Sequence, residues 1–110
     1  VTAELALGIP VLVALVLVLA WMVSLGIAQV RVVDAARETA RALARGDSRA
    51  DALALGRRVA GPGSGIEVEV GEGVVVVRVR ATTLRAPGRL GDLRTPTVQA
   101  EAVAALEVPP

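Results

Sequence analysis

A chain of 110 residues with 54% hydrophobic side chains and one aromatic, Trp21, has the length of a single small domain, or of one domain with an anchor. A soluble core of that size ordinarily draws on several aromatics, which bury the most area per residue. Here Val, Ala and Leu carry the apolar content, and much of it lies in one block. A formal net charge of +1 gives no bulk attraction to nucleic acid, and the absence of His and Cys removes the usual zinc sites, nucleophile–base pairs and disulfide staples. All 12 cations are Arg, a usage read as the coding bias of a GC-rich genome.

From Leu5 to Ala28 the chain has no charged residue, and Ser24 is its only polar side chain. A transmembrane helix needs about 20 such residues, and at 1.5 Å per residue this run covers roughly 36 Å, enough to span with some tilt. Trp21 falls roughly 24 Å beyond Leu5, near the far interface, where Trp is favoured. A signal peptide would have an apolar region of about 7–15 residues after a basic start, which this run does not match. Glu4 opens the block. A carboxylate at membrane depth costs about 2.5–3.5 kcal/mol on translocon scales and calls for a partner; in the headgroup zone it instead complements the helix dipole. Residue chemistry leaves both readings open. Pro10 deletes one backbone hydrogen bond and can kink or loosen the turn before it.

Beyond the span, Arg31, Arg37, Arg41 and Arg45 would place that side in the cytoplasm by the positive-inside rule; the opposite topology needs basic residues ahead of Val1. The chain opens on Val rather than Met, which reads as a processed or trimmed product.

Helical patterning continues through Gln29–Arg45, with an apolar stripe at Val33, Ala36, Ala40 and Leu43/Ala44 and one-turn pairs Glu38–Arg41 and Asp34–Arg37. Gly46 is the expected stop, giving a helix from Leu5 to Ala44 of roughly 60 Å. Asp47 or Ser48 caps a short second helix to about Val59, with Ala50, Leu53, Ala54 and Val59 facing inward. Gly61–Gly65 ends it. Ile66–Val70 alternates as a strand, Gly71-Glu72-Gly73 turns, and Val74–Ala81 is the second strand. With Val70 opposite Val75, the residues Ile66, Val68, Val70, Val75, Val77 and Val79 share one face. Glu67, Glu69, Arg78 and Arg80 then share the other, where cross-strand pairs support the register. A loop at Leu84–Pro96 leads to a third strand, Thr97–Val108, with Val98, Ala100, Ala102, Ala104, Leu106 and Val108 pointing one way.

The expected fold class is α+β: a long N-terminal transmembrane helix, a short second helix and a three-stranded antiparallel sheet. Residues 1–30 form the membrane half of the long helix, and residues 31–110 a small domain with a thin core. No catalytic, metal or cofactor constellation is recognised. Gly61–Gly65 follows a helix and lacks the Gly-Lys-Ser/Thr ending of a phosphate loop. Glu67 and Glu69 read as solvated. Gly8, Ala14, Ala20 and Gly26 do not form Gly-x-x-x-Gly.

Taken together, Glu4-Leu5-Ala6-x-x-x-Pro10, the uninterrupted apolar helix, Val33-Asp34-Ala35-Ala36-Arg37-Glu38-x-Ala40-Arg41, and a strand meander ending Ala105-Leu106-Glu107-Val108-Pro109 resemble the TadE-like pilins. Those are minor pilins, or pseudopilins, of the Tad (Flp) branch of type IV pilus machinery. The most specific parts are Glu4 with Pro10 and the segment Asp34, Ala35, Ala36, Arg37, Glu38. The resemblance implies a non-enzymatic subunit that works in adherence, without a cofactor and without nucleic acid. Its implied partners are the lipid membrane, other pilins, a prepilin peptidase and the assembly platform. It implies a cytoplasmic-membrane protein with its domain outside before assembly, and a pilus or surface location afterwards. It further implies removal of a leader ending in Gly and pairing of an early Glu, here Glu4, with a subunit's N-terminal amine. No such leader is visible, and Glu4 stands fourth where the usual mature pilin has its Glu fifth, so the chain is expected to start one residue late. The rival reading is a plain single-pass anchor whose domain binds a soluble or envelope partner.

Overall fold

The computed structural model describes residues 2–82 and 97–106. Helix α1 runs unbroken over Thr2–Ala44, 43 residues, and continues through Pro10. It stops where expected. Gly46 adopts φ 98, its N–H donates to the Leu43 carbonyl (3.1 Å), and Asp47 N–H donates to Ala42 (3.0 Å). These paired bonds satisfy the last carbonyls, and the left-handed residue suits Gly, which has no Cβ to clash. Ser48 then caps α2, Arg49–Ala60, its hydroxyl accepting from Asp51 N–H at 3.2 Å. Of the two expected caps, Ser48 is the one used.

Strands β1 (Gly65–Gly71), β2 (Val74–Thr82) and β3 (Thr97–Ala105) form an antiparallel sheet in that order. Val70 pairs with Val75 and Gly71 with Val74, so the register follows from the Glu72-Gly73 turn, where Gly73 has φ 71. Val75, Val77 and Val79 are fully buried, and Val98, Ala100, Ala102 and Ala104 of β3, with Leu106 just after it, pack beside them. Val70 shares that face but stays 61% exposed, on an edge strand that α2 touches only sparsely. The third strand ends at Ala105, short of the expected Val108, and Leu106 follows outside it; the loop expected at Leu84–Pro96 and Val108 itself lie outside the described residues.

Helix α1 packs on α2, β2 and β3, so two helices form one layer over a single sheet. The helix faces differ from expectation in three ways. On α1 the buried residues are Val32, Ala35, Ala36, Thr39, Ala40, Ala42 and Ala44, which include the expected Ala36, Ala40 and Ala44, while Val33 and Leu43 are only half-buried. Gripped from two sides, α1 buries a broader arc than a single stripe. On α2 the buried residues are Ala52, Gly56 and Ala60; Ala50 and Ala54 are exposed, and Leu53 and Val59 half-buried. This small-residue row lets the helices approach closely. A Cβ on Gly56 would overlap Thr39 Oγ1 and come within 2.8 Å of Ile66 Cδ1. Finally, Glu38 pairs with Arg41 at 3.3 Å, but the expected Asp34–Arg37 pair is not formed, and neither residue has an ion pair among the described residues. Both are exposed, and a surface pair gains too little to hold two long side chains in one geometry.

On the sheet's outer face Arg78 sits opposite Glu67 and Glu101. It donates to Glu101 at 3.0 Å and lies 3.6 Å from Glu69. The hydrogen bond and charge of Glu101, then the charge of Glu69, raise the pKa of its guanidinium. The molecule measures 73 × 21 × 19 Å, a small head at one end of a long rod.

Candidate functional site

The two halves of α1 differ in what covers them. In its apolar N-terminal stretch no residue is buried by the rest of the protein, and Leu7 is 73% exposed. From Val32 onward the same helix is the spine of the head, with Val32, Ala35 and Ala36 at 0–1% exposure. By length and composition α1 is a helix able to cross a membrane. Valine and leucine on every side would be costly in water, at about 25 cal/mol per Å² of apolar area.

Glu4 lies in the first turn of α1 and is exposed. Pro10 is also exposed and lies inside the helix. Lacking an N–H, it leaves the Ala6 carbonyl without its helical donor. The six-residue separation keeps both in the first turns of the bare half. The segment Asp34–Glu38 lies on the head half, roughly 45 Å from Glu4 and 36 Å from Pro10 at about 1.5 Å per residue. Its two alanines, Ala35 and Ala36, are core; Asp34 and Arg37 face solvent, and Glu38 is half-buried. The sequence motif therefore divides into a packing role for the alanines and a surface role for the charges. The structure does not bring it together with Glu4.

The junction between the halves contains features that sequence reasoning missed. Gln29 Nε2 donates to the Gln99 carbonyl at 3.2 Å, tying α1 to β3. On the same stretch of α1, Ser24, Ile27, Ala28 and Arg31 line a groove of about 430 Å³ bordered by Ala60-Gly61-Pro62 and by Ala81-Thr82. The Ser24 hydroxyl donates to the Trp21 carbonyl at 2.6 Å, as serine does in apolar helices. Trp21, Ser24, Ala28 and Arg31 follow at three- and four-residue steps, so they form one stripe. Spacing alone could not reveal the groove, because its other wall comes from residues about thirty or more positions further along the chain. Among the described residues, no three of Asp, Glu, His or Cys converge as metal ligands would.

Fold and junction define a class: a small α+β head on a helix long and apolar enough to serve as a membrane span or signal anchor. Beyond that class, no family model matches the chain, no curated protein matches it in sequence, and no solved structure matches it in fold.

Proposed function

We propose that this protein is a TadE-like minor pilin, a non-enzymatic subunit that assembles into, or initiates, a Tad-type pilus. The observation that carries the proposal is the division of α1. One continuous 43-residue helix supplies both a bare apolar rod and the core of the head. A rod uncovered on all sides suits lipid before assembly and neighbouring helices afterwards. In this reading the first part of α1 crosses the cytoplasmic membrane, the head lies outside, and a prepilin peptidase, other pilins and the assembly platform are its partners.

Glu4 supports this role by its place in the exposed first turn. An amine and a carboxylate are each costly in a low-dielectric layer when alone, whereas a pair sets the axial register between subunits. Replacing Glu4 with Ala should leave membrane insertion intact and sharply reduce piliation. Normal piliation by Glu4→Ala would remove Glu4 from the mechanism.

The rival reading, an anchored binding domain, is favoured by one observation. On the outer sheet face Val76 lies opposite Val103, which is 62% exposed, with Val74 beside them. Such a patch fits a docking surface. The two readings separate on the codons upstream of Val1 and on processing. A short basic leader ending in Gly, removed only when the prepilin peptidase is present, supports the pilin. Maturation independent of that peptidase supports the anchor.

A further inference from the structure

We infer that the groove at the base of the head holds the phosphate of an anionic phospholipid, with Arg31 as its cation. The inference rests on α1 crossing a membrane, as proposed above, but not on pilus assembly.

Depth comes first. A hydrocarbon layer of ~30 Å beginning at Leu5 ends near Ser24 or Leu25. Arg31 is then roughly 10 Å higher, at the outer edge of the headgroup layer. Side chains on a helix lean toward its N-terminus, so the Arg31 stem points back down and its guanidinium reaches the level of the phosphates. The groove is thus continuous with the apolar span: Ser24 and Ala28 form its floor and Arg31 its upper wall.

Charge comes second. Arg31 is the first cation after the span and, among the described residues, the only charged one lining the groove. Among the described residues it makes no ion pair, although Asp34 follows one turn later. By contrast, Arg41, Arg45 and Arg78, in the body of the head, are all paired with carboxylates. Arg57 and Arg58 in the last turn of α2, and Arg80 on the outer face of the sheet, do not line the groove and are likewise unpaired among the described residues. Among the described residues Arg37 and Arg49 also lack partners, so an unpaired arginine alone is no signal; position at the lipid surface, beside a groove whose described lining holds no acid, is. A planar guanidinium binds phosphate through parallel N–H donors, and the exposed Thr82 hydroxyl offers another donor across the groove. Zwitterionic lipid carries its own cation on the phosphate. A headgroup with net negative charge does not, and it is the better counterpart for an unpaired arginine.

Trp21, the only Trp and the only aromatic, is a built-in reporter one turn below the groove. The full-length chain is reconstituted in phosphatidylcholine vesicles containing a minority of phosphatidylglycerol. Bromine is placed near the headgroup end of the acyl chains of one lipid or the other, and Trp21 fluorescence is read. Quenching by brominated phosphatidylglycerol should exceed its mole share by about fivefold, the effect of one arginine near an anionic surface. Arg31→Gln should bring it to the mole share, while Arg41→Gln, already paired elsewhere, should not. Millimolar inorganic phosphate should leave the enrichment unchanged; its loss would reassign the groove to a soluble phosphate. Equal quenching by both lipids overturns the inference and leaves the span intact. No quenching by either removes the span itself. If Arg31→Gln keeps the enrichment and the Arg57, Arg58 and Arg80 triple Gln variant loses it, the attraction is a diffuse basic surface and the assignment to Arg31 fails.

Discussion

Gly56→Ala should destabilise the head, against the usual direction of that substitution. In an unobstructed helix, Ala for Gly gains about 1 kcal/mol. At Gly56 the added Cβ overlaps Thr39 Oγ1 and stands 2.8 Å from Ile66 Cδ1. The Ile66 methyl is the free end of a flexible side chain and can move. The Thr39 hydroxyl is fully buried and donates to the Ala35 carbonyl at 2.7 Å, so it cannot turn away without breaking that bond. Overpacking of this kind costs about 1–3 kcal/mol. Because the overlap involves a fixed atom, the cost falls in the upper part of that range, for a net loss of about 1–2 kcal/mol. In a domain of this size that lowers the melting temperature by roughly 5–15 °C. The assay is thermal unfolding of the full chain in detergent micelles, followed by protease susceptibility of the head so that the micelle-bound helix does not dominate the signal. The decisive comparison is the double-mutant cycle. In a Thr39→Ala background the obstructing oxygen is gone, and Gly56→Ala should become neutral or stabilising. A Gly56→Ala protein that melts at or above the parent would refute the close approach of α1 and α2 at this point.

Ser48→Ala should cost about 1 kcal/mol by leaving the Asp51 N–H uncapped, and amide exchange should accelerate in the first turn of α2 before anywhere else in that helix. Arg78→Gln should lower the urea midpoint by an amount that does not vary between neutral pH and about pH 10. A cation whose folded-state pKa is raised contributes fully below its unfolded value, and that contribution is lost only as pH climbs through the folded one. A gap that closes in mild alkali would contradict the Arg78–Glu101 assignment. The Glu4→Ala piliation assay and the Arg31→Gln lipid assay complete the set.

The strands were legible because alternation has a period of two and one short turn links them. Once Glu72-Gly73 is the turn, every pair from Gly65–Arg80 to Gly71–Val74 follows. The end of α1 was legible for a similar reason, since Gly46 interrupts a long alanine-rich run. Helix faces were harder. Ala50, Leu53 and Ala54 carry more apolar weight than Ala52, Gly56 and Ala60, yet the latter are buried, because what α1 offers opposite them is Thr39 and more alanine. Close approach, rather than hydrophobic volume, selects that face. A glycine in a helix interior is itself a signal of contact, and Gly56 carried it. Of the candidate site, Glu4 and Pro10 could be placed on the helix from spacing alone, whereas what meets Glu4 belongs to another molecule. The groove could not be read locally. Arg31 looked like a topology marker until Gly61-Pro62 and Ala81-Thr82 were placed beside it.

Since α1 has no hinge between Ile27 and Val32, and Gln29 fastens it to β3 there, span and head behave as one lever. From Ala28 to Ala44 its outer arm is roughly 24 Å long. A tilt of about 20° in the membrane, common for such helices, would therefore carry the far end of the head sideways by roughly 8 Å. With α1 spanning a membrane as proposed, bilayer thickness or a neighbouring helix would in this way aim the outer sheet face without touching it.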